Sequence, residues 1–419
     1  MPMHNKQRSF SSAFCALSTS LIIVSVTVLA SAQAIAQCPP QGLTDIYDFT
    51  PQEVGGGVPG NIVIDGAGNL YGLIAGGGNY GQGLLYKLAE RDGNWLLDPL
   101  YNFLGGSQGS STNNLILGPQ GAVYGGASGG SQNYGLIYKA NPGPTACTTA
   151  LCSWTECTLY QFTGNNDAVD ASVNAYDSAG NLYGISFFGG ASGYGTIFEL
   201  TPSPGGWTET ILHNFTEGCD GAWPTSLLMG HDGNLYGTAS TGGCYGYGTI
   251  FQLVPSGGGW TLNVLYTFIG TYDGIAPGNL VQDSLGNFYG SSGCSLYSYC
   301  NGINDNHYGL VFKLSRSGGR WQLNVLYDTS EDNLCSGSIN GVALDAAGRV
   351  YATAGLEPYC FPGWGALLDV TANQVLVPAD GNIFQDVTVA ASGKLYGTFG
   401  EGCGKYDLGM VWQYSPPNR

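Results

Sequence analysis

The chain has 419 residues, including 69 Gly and 27 Tyr, with 29 acidic against 12 basic residues and a formal net charge of −17. A surface of that sign repels phosphate backbones and gains nothing from counterion release, which excludes nucleic acid as a partner. Only 10% of residues are charged and 43% are hydrophobic, the balance of a packed protein of short strands and tight turns and not of a disordered acidic tail.

Lys6 and Arg8 precede an apolar stretch from Ala13 to Ala30 and the small-residue run Ser31-Ala32-Gln33-Ala34-Ile35-Ala36. A basic start, an apolar middle and an A-x-A ending predict a secretory signal peptide over residues 1–36, cut before Gln37. Cuts after Ala32 or Ala34 are alternatives, and an uncleaved anchor is the rival that the small-residue run disfavours. Loss of Lys6 and Arg8 leaves 10 of the 12 basic residues against 29 acidic ones, a charge of −19. No later stretch is apolar over the ~20 residues that a membrane helix requires. Residues 37–419 are therefore expected as a single exported domain, secreted, periplasmic or at the cell surface, with no membrane insertion after signal removal.

One phrase then recurs along the chain: Gly68-Asn69-Leu70-Tyr71-Gly72, Gly121-Ala122-Val123-Tyr124-Gly125, Gly180-Asn181-Leu182-Tyr183-Gly184, Gly233-Asn234-Leu235-Tyr236-Gly237, Gly286-Asn287-Phe288-Tyr289-Gly290, Gly348-Arg349-Val350-Tyr351-Ala352 and Gly393-Lys394-Leu395-Tyr396-Gly397. Its tyrosines lie 53, 59, 53, 53, 62 and 45 residues apart. A second phrase follows each copy, clearest in Gly195-Thr196-Ile197-Phe198 and Gly248-Thr249-Ile250-Phe251. A third, as in Leu212-His213-Asn214-Phe215 and Leu265-Tyr266-Thr267-Phe268, ends the unit.

Each unit predicts four strands. The first precedes the Gly-Asn turn, as in Asn61-Ile62-Val63-Ile64-Asp65; the second and third are the two phrases. The fourth runs from a tryptophan to the terminal phenylalanine. Trp95 and Phe103, Trp154 and Phe162, Trp207 and Phe215, and Trp260 and Phe268 are each eight residues apart. An even spacing places both rings on one face of a strand, where they are expected to fill the layer between units. Trp321 keeps the pattern, with Thr329 in place of its phenylalanine.

Seven such units predict an all-β fold, a seven-bladed β-propeller of four-stranded antiparallel blades. A linear solenoid also repeats, so the ends of the chain decide. The last copy stops after its third strand, Met410 to Tyr414, and an orphan fourth strand, Leu43 to Phe49, opens the mature chain. Together they are expected to complete one blade and close the ring, removing exposed edges.

These phrases resemble the GloVer tandem repeat of bacterial exported proteins over nearly the whole mature chain. The sixth copy departs furthest, with Arg349, Val350 and Ala352 followed by Gly365-Ala366-Leu367-Leu368. The resemblance implies export and brings no reaction and no catalytic residues. The Asp-x-x-Gly-Asn turn, as from Asp177 to Asn181, is also similar to turns of NHL-type and gluconolactonase-like propellers.

Alternating strands place the turns after strands one and three on one face and those after strands two and four on the other. The first face is tight, and Asp65, Asp177, Asp283 and Asp345 are expected there as turn caps. The second carries the variable loops, where function concentrates on a rigid scaffold. Its candidate ligand-binding residues are Asp167, Asp170, Asp220, Trp223, Asp273, Asp305 and His307, with Glu217, Glu331 and Asp332 beside them. Solvated loop polarity is the plainer reading; Ca²⁺ is the one cofactor that such carboxylates suggest, and sugar hydroxyls beside Trp223 are a further ligand class.

Cysteine spacing points the same way. Cys219 and Cys244 lie 25 residues apart, as do Cys335 and Cys360 at equivalent places two units on. Two disulfides bracing the variable face are expected, in an oxidising compartment. Cys294 with Cys300, and Cys147 with Cys152 or Cys157, are further candidates, while Cys38 and Cys403 offer no evident partner. The spacings lack the Cys/His clusters of a zinc site.

Several motif matches carry no chemistry. Gly76 to Gly81 fits G-x-G-x-x-G without a surrounding βαβ unit. Gly105 to Gly109 and Gly126 to Gly130 fit G-x-S-x-G without the following helix that a nucleophile elbow needs. The four histidines are His4, His213, His231 and His307, and only His307 falls among the variable-face candidates. No catalytic residues are assigned, because a histidine-dependent nucleophile cannot be assembled from them. The expected function is a non-catalytic, exported ligand- or partner-binding scaffold, its partner a glycan or envelope protein. The alternative is a carboxylate-dependent carbohydrate- or lactone-active enzyme using a pair among Asp167, Asp220, Asp273 and Asp305.

Overall fold

Glycine opposite an aromatic ring explains the recurring second strand. In the computed structural model a Cβ on Gly72 or Gly125 would lie 2.3 or 2.5 Å from the hydroxyl of Tyr86 or Tyr138, its cross-strand partner. Gly184, Gly237, Gly290 and Gly397 lie under Phe198, Phe251, Phe312 and Trp412 in the same way. The described residues are 39–55, 57–142, 154–270, 272–293, 309–329, 336–356, 364–380, 384–400, 403–406 and 408–417. The expected signal peptide lies outside them.

Among the described residues there are seven four-stranded antiparallel sheets, each with its strands in sequence order. Blade 1 comprises Val58–Ile64, Leu70–Ala75, Leu84–Arg91 and Asn94–Asn102; blade 2 comprises Ser110–Leu117, Val123–Ser128, Leu136–Asn141 and Thr155–Gln161. Blade 3 is Ser172–Tyr176, Leu182–Ser186, Thr196–Ser203 and Gly206–Asn214, and blade 4 is Ala222–Met229, Leu235–Thr241, Thr249–Ser256 and Gly259–Thr267. Blade 5 is Leu280–Gln282, Phe288–Ser292, Leu310–Ser317 and Arg320–Asp328; blade 6 is Ser336–Leu344, Val350–Leu356, Trp364–Asp369 and Gln374–Asp380. Blade 7 takes Thr388–Val389, Leu395–Phe399 and Met410–Tyr414 from the end of the chain and its outer strand, Thr44–Asp48, from the beginning.

The ring closes as the sequence predicts. Thr44 pairs with Gln413, Asp45 with Trp412, Tyr47 with Val411 and Asp48 with Met410. At the inner edge the Thr398 hydroxyl donates to the Gly60 carbonyl at 3.1 Å, joining blade 7 to blade 1. Phe49 follows the closing strand, is fully buried, and meets Tyr86 of blade 1 edge-on at 5.3 Å. A helix long and apolar enough to cross a membrane is absent from the described residues.

The core is divided into seven apolar layers, one between each pair of neighbouring blades. Here one expectation needs correction. Trp207 belongs to the layer between blades 2 and 3, whereas Phe215 belongs to that between blades 3 and 4. Trp95 and Phe103, Trp154 and Phe162, and Trp260 and Phe268 divide in the same way. The cause is a β-bulge in every outer strand, between Ile197 and Phe198 of the partner strand in blade 3 and at the equivalent step elsewhere. The extra residue reverses the alternation, so an even spacing ends on opposite faces. Each outer strand therefore packs against both neighbouring blades.

Candidate functional site

On the tight face the aspartates cap turns. Asp65 Oδ1 accepts from the N–H groups of Ala67 and Asn69, both at 2.9 Å, and Asp177, Asp283 and Asp345 repeat the pair at 2.9 Å. Burial alone raises these carboxyls, but the hydrogen bonds outweigh it and hold all four below the usual carboxylate range.

On the variable face, three candidate carboxylates turn out to be equally periodic. Asp167 Oδ2 accepts from the Thr163 N–H at 2.7 Å and from its hydroxyl at 2.9 Å. Asp220 Oδ2 accepts from the Thr216 N–H at 3.1 Å, and Asp220 Oδ1 from the Thr216 hydroxyl at 2.6 Å. Asp273 Oδ2 accepts from the Ile269 N–H and from the Tyr266 hydroxyl, both at 2.9 Å. Each stands five residues after Phe162, Phe215 or Phe268, a signal present in the sequence but hidden among variable residues. Their loops enter blades 3, 4 and 5, one such carboxylate per blade. His213 replaces the tyrosine of its repeat and takes over its bond, meeting Asp220 at 3.0 Å through Nε2. Asp305 and His307 lie outside the described residues, as do Glu331 and Asp332.

Asp170 and Trp223 are placed differently. Both have left-handed backbones, φ 47° and 56°. Their N–H groups donate at 2.9 Å to the carbonyls of Tyr134 and Tyr194, each in a loop of the preceding blade. Such a backbone is uncommon for a large side chain and marks a locally over-determined loop. Phe187 stacks on Trp223 with centroids 5.6 Å apart and planes 16° from parallel, and Phe188 meets Phe187 edge-on at 4.9 Å. Sequence reasoning missed both phenylalanines, although they stand where blade 4 has Ser240 and Thr241. The same face exposes Tyr80 (60%), Tyr245 (63%) and Tyr272 (83%).

Glu209, also missed, sits on the outer strand of blade 3. Its Oε2 accepts from the Tyr160 hydroxyl at 3.2 Å and its Oε1 from the Ala168 N–H at 3.4 Å. Burial, with the nearby Asp167 charge, pushes its carboxyl up to about 7 against the pull of these two bonds. Asp167 is 8% exposed, and its Oδ1 is buried without a hydrogen-bond partner.

Cys219 and Cys244 form the expected disulfide across the two variable loops of blade 4. Cys157 is a free, exposed thiol, so it does not pair with Cys147. Cys403 is disulfide-bonded, which corrects the sequence reading that gave it no partner. Cys38, Cys147, Cys152, Cys294, Cys300, Cys335 and Cys360 lie outside the described residues. Among the described residues no three His, Cys, Asp or Glu side chains converge as metal ligands, so none of them offers Ca²⁺ a carboxylate cage.

The fold is shared with proteins of distant sequence. It is similar to an extracellular domain from B. thetaiotaomicron assigned to a hybrid two component system, with TM-score 0.54 and 12% identity over 90% of this chain and 40% of that one. A second such domain from B. thetaiotaomicron gives TM-score 0.52 and 14% identity over 91% and 42%. The chain thus spans about two fifths of the length of those domains. A polysaccharide lyase, an ulvan lyase bound to a -[GlcA(1-4)Rha3S]- saccharide, gives TM-score 0.51 and 12% identity over 89% and 95%. No curated protein matches the sequence. From the outer strand of blade 2 into blade 6, residues 151–355, the chain matches the Gloeobacter/Verrucomicrobia repeat.

Proposed function

We propose that the protein is an exported, non-catalytic propeller that holds a glycan or another envelope protein on its variable-loop face. One contrast carries this reading. The carboxylates Asp167, Asp220 and Asp273 are engaged with loop backbone, while Tyr80, Tyr245, Tyr272 and Phe188 on the same face are turned to solvent. Exposed rings on a rigid frame serve recognition. The disulfide between Cys219 and Cys244 suits an oxidising compartment. The likeness to receptor ectodomains and to a lyase is one of fold, and a propeller hosts either kind of function.

Glycan-array and envelope-extract capture with the purified protein tests the reading. Capture is expected, and it should weaken when Trp223, Tyr245 and Tyr272 are replaced together by Ala. Failure of the protein to retain any glycan or envelope protein would contradict it.

A second reading, a carboxylate-dependent enzyme acting on carbohydrate or lactone, has the Asp167 and Glu209 pair behind it, with the latter poised near 7. Against it, Asp167 is almost wholly buried beneath its own loop. Turnover of a polysaccharide or lactone that disappears in Glu209→Gln would favour this reading over the first.

A further inference from the structure

One place on the variable face departs from the repeat in several respects. Ala168 pairs with Gly189 and Val169 with Phe188, making a two-stranded ribbon found on no other blade among the described residues. Phe187 is 40% and Phe188 52% exposed, and Phe187 stacks on Trp223. Asp170 follows Val169, so it stands beside the phenylalanines at the end of the ribbon. It is exposed, and its carboxylate has no hydrogen-bond or ion-pair partner among the described residues, unlike Asp167 and Asp220. The left-handed backbone of Asp170 and Trp223 recurs at Ala276, in the loop entering blade 5 (φ 48°), whose N–H donates to the Tyr247 carbonyl at 3.1 Å. The loop shape is thus a property of the repeat, and the side chains that it presents here are particular to this site. The disulfide at Cys219 braces the loop leading to Trp223.

We propose that Trp223, Phe187, Phe188 and Asp170 form a binding site for an organic cation, an alkylammonium or guanidinium group carried by the ligand. This rests on the binding role proposed for the face and names the chemistry it recognises. Aromatic faces are electron-rich and attract cations, most strongly on tryptophan, and Asp170 supplies the counter-charge. Elsewhere the protein places its own cations over rings: Lys87 over Tyr71, Lys139 over Tyr124, Lys313 over Tyr289, Arg316 over Trp321, Arg349 over Tyr351 and Lys405 over Tyr406. No described Lys or Arg sits over Trp223, Phe187 or Phe188, so this cluster is left for a cation from outside. A net charge of −17 draws cationic ligands and repels polyanions.

Isothermal titration of the purified protein at low ionic strength tests the site. Choline is compared with its neutral isostere 3,3-dimethyl-1-butanol, and methylguanidinium with the neutral methylurea; the two pairs distinguish alkylammonium from guanidinium. At least one cation is expected to bind about 10-fold more tightly than its neutral counterpart. Asp170→Asn should weaken that binding several-fold and added salt should weaken it further, with Trp223→Ala abolishing it. Asp170→Asn alters only an exposed, unpartnered carboxylate, so it decides the matter even if Trp223→Ala fails to fold. Equal binding of cation and isostere, no binding of either cation, or an unchanged Asp170→Asn would overturn the proposal. Capture of a glycan or envelope protein by a protein that binds neither cation would overturn this site while leaving the binding role of the face intact.

Discussion

Ala352 stands directly opposite Leu368 in blade 6. In the six other blades this position pairs a glycine with an aromatic ring, from Gly72 with Tyr86 to Gly397 with Trp412. The methyl group and the aliphatic side chain are exchanged together, because a Cβ fits only where no ring lies across the backbone. The divergence of the sixth repeat thus preserves the packing rule of the other six.

That rule predicts a coupling. Gly125→Ala would set a methyl group 2.5 Å from the Tyr138 hydroxyl and 2.7 Å from its ring carbon Cζ. Overpacking of this kind costs about 1–3 kcal/mol. Tyr138→Leu should relieve most of it, so that the double variant is more stable than the sum of the two single changes by about 1 kcal/mol or more. Urea melts of the four proteins measure this.

The bulge in each outer strand predicts which layers a substitution disturbs. Phe215→Ala should cost about 3–5 kcal/mol, as for other buried rings, because Phe215 is fully buried against Phe251 of blade 4. Thr208→Ala, exposed on the same strand, should stay within about 0.5 kcal/mol. Thermal melts distinguish the two.

How much of this was legible in the sequence follows from the same elements. Repeats announce themselves through residues that must recur, so the blade number, the strand order and the closing strand near Phe49 could be read directly. The bulge leaves no compositional mark, and the spacing of Trp207 and Phe215 misled for that reason. The aspartates five residues after each phenylalanine were hidden because the loops around them vary in every other position. Phe187 and Phe188 were overlooked because side chains that break a repeat look like noise until they are seen to meet Trp223.

Glu209 predicts a pH dependence. Its folded carboxyl is raised, to about 7, so the stability it contributes is fully present below the unfolded value near 4.3 and is lost as pH rises through about 7. Allowing for partial solvent screening, the loss is about 1–2 kcal/mol. Glu209→Gln should therefore melt above the unaltered protein at pH 8, and the gap should close by about pH 4.

The Cys219 to Cys244 bridge closes a loop with a sequence separation of 25. Replacing both cysteines by Ser should cost about 2–4 kcal/mol. The free thiol of Cys157 is exposed, so it should react with a maleimide in the folded, unreduced protein.

Every assignment of a loop to a face depends on the first strand and the last sharing a sheet. A cysteine pair at Thr44 and Gln413, opposite each other in the closing register, probes this most directly. With Cys157 replaced by Ser, oxidation of the double variant should add one intramolecular disulfide to those of the parent in high yield, and the variant should melt at a higher temperature than the oxidised parent. Introduced thiols that remain free, or that cross-link only between molecules, would mean that the ring is open.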